Sequence, residues 1–265
     1  MTIPFVKAHG ARNDFLLTWR SQIAAISDSE AREIAIAICQ RHTGIGADGW
    51  ILMDPAEGAE AAIELWNSDG SRSEISGNGT RCAAAHLVDT HKASEHVRIV
   101  TGAGLKRLRL MGREGLKFSL EMNMGPARID ELESSIVPGR ESVVLNVGNP
   151  QCAVFVEDFN FDWRSLGAAL ERHPRFPDRT NVSFIKVLDN KTLDVRFFER
   201  GAGETMSSGT GSTGAAAAAV SRGWAQYPIT VETPAGPLSL RSEQHDIYLA
   251  GPAEIVADGQ YFFEK

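Results

Sequence analysis

One short pattern, written twice, constrains this chain more than its length or composition does. Ser76, Gly77, Asn78, Gly79, Thr80 leads into three alanines at 83–85, and Ser208, Gly209, Thr210, Gly211, Ser212 leads into three alanines at 215–217, each position 132 residues on. The same spacing sets Ile63, Glu64, Leu65, Trp66 opposite Val195, Arg196, Phe197, Phe198, each an apolar-rich extended run ending in a polar loop. Alanine runs match cheaply, so the repeat rests on Ser-Gly-x-Gly and the strand before it. Both copies read as strand, polar turn, Ser-Gly-x-Gly and a helix built on alanine, the strongest helix former.

Each copy aims a helix N-terminus at something. The first N–H groups of a helix lack internal partners and carry partial positive charge, and glycine lets a ligand come close to the main chain. Serine and glycine there also serve as a plain cap and turn. Two such ends at one fixed spacing, one in each half, suit a single anionic group.

The 265 residues allow one large core or two ordinary domains, and an internal duplication favours two. Hydrophobic content of 43% with 23% charged residues is of soluble globular type and does not suggest disorder. A net charge of −7 with no basic run argues against nucleic acid and acidic membrane surfaces as partners. Residues 1–15 carry Lys7, His9 and Arg12 and no continuous apolar stretch, unlike a signal peptide, and the small-apolar run 215–220 is far too short to span a bilayer. The expected location is the cytoplasm. Cys39, Cys82 and Cys152 form neither a disulfide framework nor a CxxC motif and are expected as small buried residues. His86, His91 and His96 recur every five residues, on no common helical face, so no metal is expected.

Along the chain, strands are expected over 3–8 and 15–19 around the polar turn 9–14, where Asn13 and Asp14 suit turn chemistry. Ser27 and Glu30 have capping-box spacing ahead of a helix over 31–40. Further strands are expected at 50–53, at 63–66, through about Asn123, at 143–147 ending in a polar turn 148–152, at 182–187, 192–198, 229–233, 238–241, 247–249 and 253–262. Helices are expected over 161–171 and after each repeated serine, and the crossing into the second half near Gly112 or Gly125. Two runs spell GxGxxG. The run 44–49 precedes a strand, and the run 209–214 opens a helix but starts eleven residues after Phe198, whereas a dinucleotide fingerprint begins directly after its strand. A nucleotide-dependent oxidoreductase is the least favoured reading.

Six blocks carry a resemblance: HGARNDF (9–15), RHTGIGADG (41–49), NSDGSRSEISGNGTRC (67–82), GNPQ (148–151), RTNVSF (179–184) and ERGAGETMSSGTG (199–211). They resemble the diaminopimelate epimerases through nearly the whole chain, and the last block favours that family over its relatives, the proline racemases and the phenazine-biosynthesis isomerases. The resemblance implies an α/β (α+β) fold of two pseudo-symmetric halves, each a curved mixed sheet wrapped around a central helix: 1–112 with 252–265 returning to it, and 113–251. It also implies a cofactor-independent isomerase acting on a small amino acid, interconverting LL- and meso-diaminopimelate by two-base proton transfer at the α-carbon, toward lysine and peptidoglycan. A homodimer is left open.

In that family the positions of Ser76 and Ser208 hold two cysteines, one removing the α-proton and the other delivering a proton to the far face. By the same resemblance Gly77, Asn78, Gly79 and Gly209, Thr210, Gly211 would cradle the α-carboxylate. Asn13, Asn67, Asn149, Asn181, Glu199 and Arg200 would clamp the distal amino-acid head, with Arg200 as the fork for its carboxylate and Glu199 as the acceptor for its ammonium. The residues alone equally allow turn caps for the asparagines and a surface ion pair for Glu199 with Arg200.

The chain departs from the family at the catalytic step itself. A thiol, with a reference pKa of about 8.5, can be tuned into a thiolate near neutrality; a serine hydroxyl needs a neighbouring base. Gln151 also stands where a histidine is usual, Gly49 where glutamine is frequent, and Arg12 in a usually small turn. Cys82, six residues past Ser76, and Cys152, turned away from Gln151 by strand alternation, are not substitutes. Three readings follow: a diaminopimelate epimerase impaired by its serines, a same-fold isomerase of another small acid, and a catalytically silent amino-acid-binding protein. The kept clamp favours the first.

Overall fold

The computed structural model describes residues 1–264, the side chain of Ser134 excepted. The chain forms two compact units, Met1–Met122 with Gly251–Lys265, and Asn123–Ala250.

In the first unit β1 (Thr2–Gly10) is antiparallel to β2 (Asn13–Trp19), and after helix α1 (Asp28–Cys39) the strand β3 (Gly49–Ala56) lies parallel to β2. β4 (Ala59–Asn67) returns antiparallel to β3 and carries the two-residue β5 (Arg72–Ser73) at its end. Helix α2 (Gly77–Asp89) then leads to β6 (His96–Thr101), parallel to β4, and on through antiparallel β7 (Gly104–Glu114) and β8 (Lys117–Gly125).

The second unit repeats this order. β9 (Arg128–Ser134), β10 (Ser142–Asn146) and β11 (Pro150–Phe155) are successively antiparallel, and helix α3 (Trp163–Glu171) precedes β12 (Asn181–Asp189), which is parallel to β11. β13 (Thr192–Glu199) is antiparallel to β12 and carries the short β14 (Gly203–Thr205). Helix α4 (Gly209–Ser221) leads to β15 (Ile229–Glu232), parallel to β13, then to antiparallel β16 (Leu238–Glu243) and β17 (Asp246–Phe262). β17 pairs with β16 up to Ala250 and with β1 from Glu254 onward.

Each unit sets one helix against either face of its sheet. Trp50 and Leu52 of β3 pack on Ile34, Ala35 and Ile38 of α1, while Ile51 between them reaches Gly79 of α2. A strand covered on both faces is apolar throughout, which is why 50–53 shows no alternation. Val182 and Phe184 of β12 likewise face α3, and Ser183 faces α4, donating its hydroxyl to Gly211 O at 3.4 Å. Helix α4 is buried on all sides from Gly211 to Ala219 among the strands of its own unit, so alanine is selected there for thinness as much as for helix propensity.

Ser27 caps α1 with the full capping box to Glu30. Three expectations need correction. The polar turn 148–152 is shorter, because β11 begins at Pro150. The strand β9 had no expected counterpart, its apolar residues being only Ile129 and Leu132 among charges. The two final strands are one: Pro252 falls between the ladders to β16 and β1, where its missing N–H breaks neither.

Candidate active site

The repeated serines are both helix N-caps in extended backbone, Ser76 at φ −126° and ψ 123°, and Ser208 at φ −137° and ψ 124°. Ser76 Oγ accepts from Gly79 N at 3.1 Å and Ser208 Oγ from Gly211 N at 3.0 Å. Such a cap contributes about 1 kcal/mol to its helix.

Beyond the cap the two ends differ. Ser208, almost fully buried, donates its hydroxyl to Glu199 Oε1. Glu199, expected to take an ammonium, is the last residue of β13 and is turned onto the serine across the β13–β14 hairpin. In the first unit the residue at the place of Glu199 is Asn67, whose Nδ2 donates to Ser71 Oγ at 2.9 Å and closes the turn after β4. Among the described residues no side chain bonds the Ser76 hydroxyl.

Asparagines flank both ends in matching fashion. Asn78 Nδ2 donates to Asn13 Oδ1 at 3.3 Å, and Asn149 Nδ2 donates to Thr210 Oγ1 at 3.3 Å, with Asn78 and Thr210 at the same helical position. Asn181 donates to Pro150 O at 3.0 Å and accepts Arg200 N at 3.0 Å, and Arg200 Nη1 reaches Asp178 O at 3.4 Å. In the first unit the bonds therefore join Asn13 and Asn78 at the capped end of α2 and leave Asn67 in its own turn. In the second they join Ser208 with Glu199, Asn149 with Thr210, and Asn181 with Arg200.

Sequence reasoning gave no role to the charges behind Asn13. Its Nδ2 donates to Asp48 Oδ2 at 2.6 Å, and Arg41 bridges Asp48 Oδ1 at 2.8 Å and Asp14 Oδ1 at 2.9 Å, with Lys7 Nζ 3.1 Å from Asp14. Asp14 is therefore a strand residue in an ion network rather than a turn former. Burial raises its pKa, but the hydrogen bonds and charges of Arg41 and Lys7 outweigh this and hold it below the ordinary carboxylate value. A depressed folded pKa gives stability that is complete above the unfolded value, about 3.9, and is lost as pH falls through the folded one. The urea-midpoint advantage of the parent over Asp14→Asn is accordingly expected to be full at neutral pH and to shrink below about pH 4. An advantage independent of pH would refute the linkage.

Gln151 is buried against Gly214 of α4 and donates to Asn149 Oδ1 at 2.7 Å. It orients an asparagine and carries no titratable group. Burial pushes the thiols of Cys39, Cys82 and Cys152 up to about 12, with Asp14 and Asp48 adding to the rise at Cys39, so none supplies a thiolate near neutral pH. Among the described residues no group of three or more His, Cys, Asp and Glu side chains is placed to hold a metal, and no helix is long and apolar enough to cross a membrane. His86 accepts the indole N–H of Trp19 at 3.3 Å. Arg12 is exposed at φ 62°. Gly209, Gly211 and Gly214 are all helical, so this GxGxxG is not the strand-to-helix turn of a dinucleotide site.

Solved structures of this fold include a phenazine biosynthesis protein of the PhzF family from Bacillus anthracis (TM-score 0.75, 15% identity, covering 99% of this chain and 100% of that one). Another is a hydroxyproline epimerase from Agrobacterium vitis (TM-score 0.72, 15% identity, 98% and 92%). They define the fold class: mixed α and β with a curved sheet about each central helix. The family model described as diaminopimelate epimerase matches residues 5–129 and 143–256. Proteins named diaminopimelate epimerase from Pelotomaculum thermopropionicum (35% identical, 97% of this chain and 98% of that one) and Nostoc punctiforme (37%, 98% and 100%) align along their length. The chain belongs to the diaminopimelate epimerase family, a family of isomerases.

Proposed function

We propose that the chain binds LL- and meso-diaminopimelate without a cofactor and moves the α-proton slowly, chiefly from the side of Ser208. The observation that carries this is the hydroxyl of Ser208 held on the Glu199 carboxylate at the N-terminus of α4. A carboxylate so placed takes the serine proton as the serine oxygen takes the proton from the substrate α-carbon, and the first-turn amides of α4 suit the charge that develops. Gly77, Asn78 and Gly79 at the start of α2, and Gly209, Thr210 and Gly211 at the start of α4, each suit a carboxylate, and Asn13, Asn67, Asn149, Asn181 and Arg200 are the polar groups we assign to the distal head.

Ser76 fares worse. To donate its proton it must become an alkoxide with, among the described residues, just the Gly79 N–H at hand, because Asn67 is no base. The carbanion is then quenched most readily from the face that lost its proton, giving exchange with retention ahead of inversion.

Calorimetry is expected to show heat of binding with at least one stereoisomer of diaminopimelate; no heat and no thermal shift with either would exclude the substrate. In deuterated water, label is expected at the α-carbon before the other stereoisomer accumulates. Equal rates of labelling and inversion would overturn the one-sided chemistry.

A further inference from the structure

Arg81 lies in the second turn of α2 with none of its surface accessible. Its Nε donates to Pro252 O at 3.3 Å and its Nη2 to Asn78 Oδ1, while Nη1, also buried, has no partner. Among the described residues no carboxylate pairs with it. An ionised group without a counter-charge is expensive to bury. Burial lowers the pKa of this guanidinium only to about 10, so it stays charged at neutral pH.

Asn78, whose side chain it grips, belongs to the Ser-Gly-x-Gly turn and in turn donates to Asn13. A positive side chain thus stands behind a helix end whose N–H groups are already positive. At the matching place in α4 stands Thr213, which spends its hydroxyl on Gly209 O at 2.8 Å. Only the first unit carries this charge.

We propose that Arg81 is a positioning residue for a carboxylate at the N-terminus of α2: it fixes Asn78, and its unpaired guanidinium supplies the potential that the bound carboxylate neutralises. This rests on the carboxylate-cradle part of the proposed function, though not on which acid is bound.

The test uses the full chain labelled with ¹⁵N and titrated with propionate, a minimal carboxylate, at constant ionic strength. The amides of Gly77 and Gly79 and the Arg81 Nε–H are expected to shift saturably in the parent. Affinity is expected to fall about ten- to a hundredfold in Arg81→Met, with Arg81→Lys in between because it keeps the charge. The melting midpoint without propionate reports any purely structural cost separately. Unchanged propionate affinity in folded Arg81→Met would overturn the proposal, whatever its midpoint. Should that variant not fold, the parent decides: an Arg81 Nε–H signal unmoved at saturation would overturn it equally. Propionate binding with the expected Arg81 dependence, but no binding of either diaminopimelate stereoisomer, would support the role of Arg81 and strike down the proposed substrate.

Discussion

Replacing Ser76 and Ser208 together by cysteine is expected to raise interconversion of LL- and meso-diaminopimelate by about 10²–10⁴-fold, the usual weight of a positioned acid–base pair. A thiol at a helix N-cap sits where partial positive charge favours its anion, so it can act without a separate base. Of the single replacements, Ser76→Cys is expected to gain more inversion than Ser208→Cys, because Ser208 already has Glu199 while, among the described residues, the Ser76 hydroxyl is met by the Gly79 N–H alone. The measurement is the α-proton signal in deuterated water together with stereochemical analysis of the product. A parent as fast as the double variant would show the serines to be competent and would remove the argument from thiol acidity.

The second large effect is on the fold around the same cap. Gly211→Ala would place a methyl 2.7 Å from Phe197 Cδ1 and 2.9 Å from Ser208 Oγ, with Phe197 itself buried in β13. Neither neighbour has room to withdraw, and overpacking of this kind costs about 1–3 kcal/mol. Gly79→Ala meets Ile51 Cδ1 at 3.0 Å and Phe15 Cζ at 3.3 Å, where the tip of an isoleucine can give way. Thermal melts are therefore expected to rank the parent above Gly79→Ala and Gly79→Ala above Gly211→Ala. The reverse order would mean that Phe197 moves more freely than its burial implies.

Local chemistry made much of this legible in advance. Ser27 with Glu30, and each repeated serine before its glycines, announce helix starts because capping is a matter of three or four adjacent residues. The duplication was readable for the same reason: 132 residues separate not just the caps but also β3–β4 from β12–β13. What escaped depends on distant partners. Glu199 reads as half of an ion pair with Arg200 until the hairpin into β14 turns it onto Ser208. Asp14 reads as a turn residue until α1 delivers Arg41 and the next loop Asp48. Arg81 drew no reading of its own from the sequence, and the return of β17 beside it, offering the Pro252 carbonyl, is what encloses it.

That returning strand also bears on the order of synthesis. Residues 246–250 extend the sheet of one unit and 254–262 that of the other. A nascent chain that ends before Asp246 thus has neither sheet whole and leaves the outer edge of β1 bare, an open template for a foreign strand. The unit made first cannot close first, and folding strictly domain by domain behind the ribosome is denied to this protein.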